Sequence, residues 1–143
     1  MTDEPSGRES PYELLQRGEA LIRGRHYAQA AVVLGRAAQA EPGKGSILEA
    51  LGRAYYNSGQ ADEARATFEA LLELDPSAHY AHFALGQSLR RLGRDAEART
   101  HLRLATVLDP ASELYRRAFA RIGPGEPSRG VMPPRGPEPT EAP

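Results

Sequence analysis

The sequence predicts an all-α fold in which helical hairpins stack into a solenoid, and three observations predict it. The chain repeats itself every 34 residues: Pro42, Pro76 and Pro110 form one column, and Gly18, Gly52 and Gly86 another. Ala30, Ala64 and Ala98 share that interval, as do Leu34, Phe68 and Leu102. Such a fixed period marks a repeat architecture, in which neighbouring units bury a continuous core. Within each period, apolar residues recur at helical spacing, as in LEALGRAY and EARATFEALLEL. Between the helical halves lie RGR, NSGQ and LGRD, with Gly24, Gly59 and Gly93 as helix-end punctuation.

Taken in order, Ser10-Pro11-Tyr12-Glu13 has the pattern of a capping box with proline in the first helical turn. Residues 11–44, 45–78 and 79–112 are the three repeats, each a helix, a turn and a helix. The small Gly and Ala columns let paired helices approach, and the Leu, Tyr and Phe columns fill the space between them. The segment ASELYRRAFARIG, about 110–122, supplies a closing helix. Leu114, Ala118 and Ile122 share one of its faces, with Tyr115 and Phe119 beside it, while Arg116, Arg117 and Arg121 point to solvent.

The stretch EPGKGS at 41–46 contains the only lysine and has the look of a phosphate loop. A loop of the G-x-x-x-x-G-K-[ST] type needs glycine where Ala38 stands and Ser or Thr where Gly45 stands. Pro42 is in register with Pro76 and Pro110, so the segment reads as the turn between repeats 1 and 2.

These columns resemble the tetratricopeptide repeat. Repeat 2 carries its pattern most fully, with Leu48, Leu51, Gly52, Tyr55, Ala64, Phe68, Leu71 and Pro76. His82 stands at the tryptophan column of repeat 3, and Arg17 at a leucine column of repeat 1. The resemblance covers 11–112 and implies seven helices in a right-handed superhelix, three repeats plus the closing helix. It also implies a concave groove lined by the first helix of each repeat. Carrying the groove positions across gives Tyr12, Leu15, Glu19 and Ile22 from repeat 1 and Ser46, Glu49, Arg53 and Tyr56 from repeat 2. Repeat 3 contributes Tyr80, Phe83, Gln87 and Arg90.

Four of the nine aromatic residues fall on this surface, together with arginines, which is the composition binding hot spots favour. The expected function is therefore a non-catalytic adaptor or scaffold that takes a peptide or helical segment in its groove. Apolar side chains would rest on Tyr12, Leu15, Tyr80 and Phe83, with Arg53 and Arg90 holding carbonyls or a carboxylate. Family members that grip chaperone C-terminal carboxylates use a lysine, asparagine and arginine set. The matching positions here hold Leu15, Glu19, Ala50, Tyr80 and Ala84, which disfavours that route.

Other chemistry finds little support. The chain has no cysteine, hence no disulfide, thiolate nucleophile or zinc–thiolate site. His79, His82 and His101 invite a metal reading, but His82 occupies a packing column, so the three read as one partly buried and two surface histidines. No nucleophile elbow or paired carboxylates appear, so neither catalysis nor a cofactor is expected.

A net charge of −1 suggests no polyanion partner overall. The charge is unevenly spread, however: net −4 over residues 1–78 and +4 over 79–122. Oppositely charged ends favour head-to-tail self-association as the alternative function, with RNA at the arginine-rich end a remote third. No basic-then-apolar leader and no membrane-length apolar run are present, so a cytoplasmic location is the default expectation.

The flanks differ in composition. Residues 1–10 are polar and expected to fray. Residues 123–143 hold seven prolines and four glycines, the composition of a disordered tail. Pro124 to Arg129 matches the PxxPxR pattern of ligands for proline-reading domains. In polyproline-like extension the tail reaches about 65 Å, enough for Val131-Met132-Pro133-Pro134 to return to the groove.

Overall fold

A computed structural model describes residues 8–122 and 132–135. The N-terminal flank through Gly7, the PxxPxR match and Val131 lie outside the described residues. Seven helices follow one another among the described residues: α1 (Pro11–Arg23), α2 (Tyr27–Ala40), α3 (Gly45–Asn57), α4 (Ala61–Leu74), α5 (His79–Arg91), α6 (Asp95–Leu108) and α7 (Glu113–Arg121). Each helix packs on the next, and α1 also meets α3 while α3 meets α5. Odd helices thus form one layer and even helices the other. None of the described helices is long and apolar enough to cross a membrane.

The ends of these helices follow from their sequence. Ser10 Oγ accepts from the Glu13 amide at 3.1 Å and Glu13 Oε1 accepts from the Ser10 amide at 3.0 Å, completing the capping box ahead of Pro11. Within each repeat the first helix closes with the same pair of backbone bonds. His26 N donates to Leu21 O, Gln60 N to Tyr55 O and Arg94 N to Leu89 O, at 2.8, 2.8 and 2.9 Å. The preceding amides, of Arg25, Gly59 and Gly93, reach back three residues. This is the Schellman arrangement, and it requires a left-handed residue at its centre.

Gly59 (φ 86°) and Gly93 (φ 80°) fill that position in repeats 2 and 3. In repeat 1 the left-handed residue is Arg25 (φ 65°), while Gly24 has an ordinary φ of −84°. Reading Gly24 as the punctuating glycine is therefore off by one residue: the 34-residue register puts the turn at 25, and an arginine occupies it. The EPGKGS segment is the α2–α3 turn, with Glu41 and Lys44 as the flanking caps.

Inside each hairpin the glycine column faces the large column. A Cβ on Gly52 would lie 2.5 Å from Phe68 Cζ, and one on Gly86 2.7 Å from Leu102 Cγ; Gly18 faces Leu34 in the same way. Leu34, Phe68 and Leu102 are each fully buried. The period thus encodes a lock: a missing side chain on one helix admits a large one from its partner.

Helix α5 buries ten of its thirteen residues, because α4, α6 and the odd-layer neighbours enclose it. That places Phe83 and Arg90 in the interior rather than on an open wall. In α7 the buried positions are Tyr115 and Ala118, joined by Ile122 at the cap, with Leu114 and Phe119 half-buried. The apolar face is centred one residue later than the periodicity alone predicts. Arg116, Arg117 and Arg121 are exposed.

Candidate functional site

The site lies along α3 and α5. Glu49, Arg53 and Asn57 succeed one another at four-residue spacing on α3, which sets them in one row on the helix. Across from them stands Tyr80 of α5, close enough to feel the charges of both Arg53 and Glu49. The tail segment 132–135 lies against this row.

Four polar contacts hold it. The Asn57 carboxamide donates from Nδ2 to the Met132 carbonyl at 3.2 Å and accepts the Met132 amide at Oδ1 at 2.5 Å. The Tyr80 hydroxyl donates to the Pro133 carbonyl at 2.8 Å. Arg135 Nη2 pairs with Glu49 Oε1 at 2.7 Å, and its guanidinium lies 5.7 Å from the Tyr80 ring centre. The Met132 side chain, 3% exposed, belongs to the same apolar cluster as Tyr56, Tyr80, Phe83, Tyr115 and Ile122. A proline-rich composition predicts no packing for these residues; here the partners come from the groove, which supplies the hydrogen bonds the segment cannot make with itself.

Local chemistry explains why this segment suits such a grip. A residue preceding proline is driven to extended backbone, and Met132 and Pro133 both precede one. Their carbonyls therefore face outward, free to meet Asn57 and Tyr80. Burial holds the Tyr80 hydroxyl far above the ordinary phenol range, so it stays protonated and donates.

The sequence-derived groove residues fall into distinct places. Glu49, Tyr80 and the apolar base around Phe83 and Tyr56 come together beneath the tail. Arg53 Nε and Gln87 Oε1 are buried with no hydrogen-bond partner among the described residues. Tyr12 is 67% exposed, with its hydroxyl accepting from Gln16 Nε2 at 2.8 Å. Leu15 is half-buried against the apolar clusters of the first hairpin, and Glu19 is half-buried. Ile22 is buried and Ser46 exposed. Phe83 is 1% exposed and stacks on Tyr115 at 5.2 Å, so it serves as floor rather than wall. Tyr56 is likewise buried, under the Arg91 guanidinium at 3.9 Å, and Arg90 donates to Arg121 O at 3.4 Å.

Two participants escape sequence reasoning. Asn57 stands in NSGQ, which reads as a turn, yet it is the last residue of α3. Its i+4 relation to Arg53 was the available signal. Arg135 carries no local signal at all, since its partner Glu49 is 86 residues away.

The histidines make a separate arrangement. His82 Nε2 is 2.9 Å from the Pro76 carbonyl, and its Nδ1 is 3.1 Å from His101 Nδ1, the rings being stacked. A carbonyl only accepts, so Nε2 of His82 carries a proton, and in the tautomer with hydrogen on Nε2 alone its Nδ1 accepts from His101. Burial, then the neighbouring His82, pushes the His101 pKa down. His79 instead meets the Tyr115 hydroxyl at 2.8 Å.

Comparison with known proteins agrees with this architecture. Residues 49–113 match the family model of the tetratricopeptide repeat. YrrB, a tetratricopeptide protein described as having an unusual peptide-binding site, aligns with TM-score 0.76 at 24% identity over 80% of this chain. The chain spans only 59% of YrrB. The first such domain of Spaghetti (RPAP3), solved with the HSP90 peptide SRMEEVD, gives TM-score 0.75 at 17% identity, covering 79% of this chain and 90% of that one. The type III secretion chaperone SycD of Yersinia enterocolitica, solved with a peptide of the translocator YopD, gives 0.68 at 20%, covering 78% and 85%. At these identities the likeness is one of fold. No curated protein is significantly similar in sequence. The helical period, its glycine locks and these likenesses agree: the described residues have the fold of a tetratricopeptide-repeat solenoid, and residues 49–113 match that family's model.

Proposed function

We propose that this protein is a non-catalytic binding module that takes an extended peptide segment of a partner protein along the α3–α5 face. The observation that carries this reading is the pair of bonds between Asn57 and the Met132 backbone. A carboxamide that satisfies both the N–H and the C=O of one residue recognises backbone, whatever side chain is attached. Tyr80 adds a second backbone contact, and Glu49 selects a cation. Main-chain contacts supply affinity and side-chain positions supply choice.

The same surface argues against a helical ligand, whose backbone groups are already paired internally. It also argues against an acidic chain terminus, because Glu49 and Glu19 lie on α3 and α1 where a carboxylate ligand would need cations. Binding by the carboxylate-clamp route is accordingly not part of this reading.

The test is selection of peptides from a random display library on the full-length protein, followed by affinity measurement against Asn57→Ala and Glu49→Arg. Selected peptides should lose about tenfold or more with each variant, as expected for a charge-assisted bond or a paired backbone grip. Peptides that bind both variants as tightly as the wild type would place recognition on another surface and overturn the reading.

A further inference from the structure

We propose that Met132–Arg135 is the resident ligand of this groove and that it defines the partner. The partner would be an extended segment bearing an apolar side chain, with an arginine three residues after it. This rests on the peptide-binding reading above and adds both specificity and regulation to it. Met132 is almost wholly buried, so its place demands an apolar group. Arg135 reaches Glu49 and the Tyr80 ring, so its place demands a cation with a flat face. Between them, Tyr80 donates to the Pro133 carbonyl, and the prolines at 133 and 134 bring no N–H that would need an acceptor.

The tail fills this site incompletely, which is what a displaceable ligand requires. Arg53 Nε and Gln87 Oε1 remain buried without partners among the described residues while the tail is seated. Leaving such groups unmet carries a penalty that a better ligand removes. An incoming segment with a carbonyl for Arg53 and a non-proline N–H for Gln87 gains two bonds the tail does not make. The tail excludes weak ligands, and a partner with the complete set displaces it.

Tethering makes the exclusion effective. Nine residues separate Ile122 from Met132, and so short a tether gives a local concentration on the order of millimolar. A tail with an intrinsic Kd of about 100 µM would then weaken any competitor about tenfold.

The experiment uses the full-length chain and the oxidation of Met132 by hydrogen peroxide, followed by mass spectrometry against a free synthetic peptide of residues 129–138. Seated in the groove, Met132 should oxidise at least about tenfold more slowly than in the free peptide. Glu49→Arg should speed it, and Glu49→Arg combined with Arg135→Glu should restore protection, which a variant that merely misfolds would not do. Equal rates in the wild-type chain and the peptide would overturn the proposal. So would protection lost on dilution alongside a dimer in sedimentation, because the tail would then fill a second copy's groove.

In the second arm, the labelled 129–138 peptide should bind the Met132→Asp/Arg135→Glu full-length chain about tenfold more tightly than the wild type. If it fails to bind that variant while library peptides still depend on Glu49 and Asn57, the resident-ligand assignment falls and the peptide-binding function stands. If no peptide depends on those residues, both fall.

Discussion

Gly52 on α3 and Phe68 on α4 occupy one space between them: the ring atoms of Phe68 lie 2.5 to 2.7 Å from where a Gly52 Cβ would be. The ring is fully buried and has nowhere to retreat. Gly52→Ala should therefore destabilise the protein by about 1–2 kcal/mol, an overpacking cost of about 2–3 kcal/mol less the gain in helix propensity of about 1 kcal/mol. Gly35→Ala, where an added Cβ meets nothing within 4 Å, should instead stabilise by about 0.5–1 kcal/mol. Urea unfolding midpoints of the two variants should move in opposite directions from the wild type.

Arg25 sits at φ 65°, where its counterparts are Gly59 and Gly93. A side chain in that conformation costs about 1–2 kcal/mol, against about 0.5–1 kcal/mol of extra chain entropy that glycine loses on folding. Arg25→Gly should raise stability by a few tenths to about 1 kcal/mol. Thermal unfolding that shows a lower midpoint for this variant would mean Arg25 makes a compensating contact.

The His82–His101 pair makes stability depend on pH in a defined direction. Burial and His82 lower the folded-state pKa of His101 below its ordinary 6.5, against the opposing pull of Glu69 and Glu97. Between those two values the unfolded chain binds the proton and the folded one does not. Stability is therefore fully present above about pH 6.5 and is lost as pH falls toward the depressed folded value. Urea midpoints at pH 7.5 and 5.0 should differ by more in the wild type than in His101→Gln, whose amide can still donate to His82.

Tyr80 bears on the tail through its hydroxyl and its ring, and Tyr80→Phe deletes only the hydroxyl. The helix packing beneath, including the edge-on contact with Phe68 at 6.4 Å, is retained. A single neutral hydrogen bond is worth about 1 kcal/mol. Tail occupancy, read as Met132 oxidation, should loosen about fivefold with thermal stability shifted by no more than that bond. A variant with unchanged oxidation would show that the hydroxyl contributes nothing to the grip.

The 34-residue period led to the six helices of the repeats and to small columns that let helices approach while large ones fill the space, because both follow from helical spacing within one period; the closing helix came from its own spacing of apolar residues. The turn glycine of repeat 1 was misplaced by one residue, since a glycine beside the turn is a stronger signal than an arginine within it. Asn57 was passed over for a similar reason: polar residues next to Gly59 read as loop, although the hydrogen-bond ladder of α3 extends to include it. Phe83 and Arg90 took groove positions in the repeat yet ended in the interior, because Tyr115 of α7 stacks on Phe83 and Arg90 reaches the Arg121 carbonyl at the end of that helix.

What the amino-acid sequence determined by itself is the solenoid, down to the capping box at Ser10 and the turn at EPGKGS. These depend on residues within one or two helical turns, or one period, of each other. What only the tertiary structure decided is how the groove is furnished. Asn57 with Met132 and Glu49 with Arg135 are separated by 75 and 86 residues. No periodicity links such pairs. They meet because the odd helices set Glu49, Asn57 and Tyr80 along one face, and because prolines hold the tail's backbone open to them.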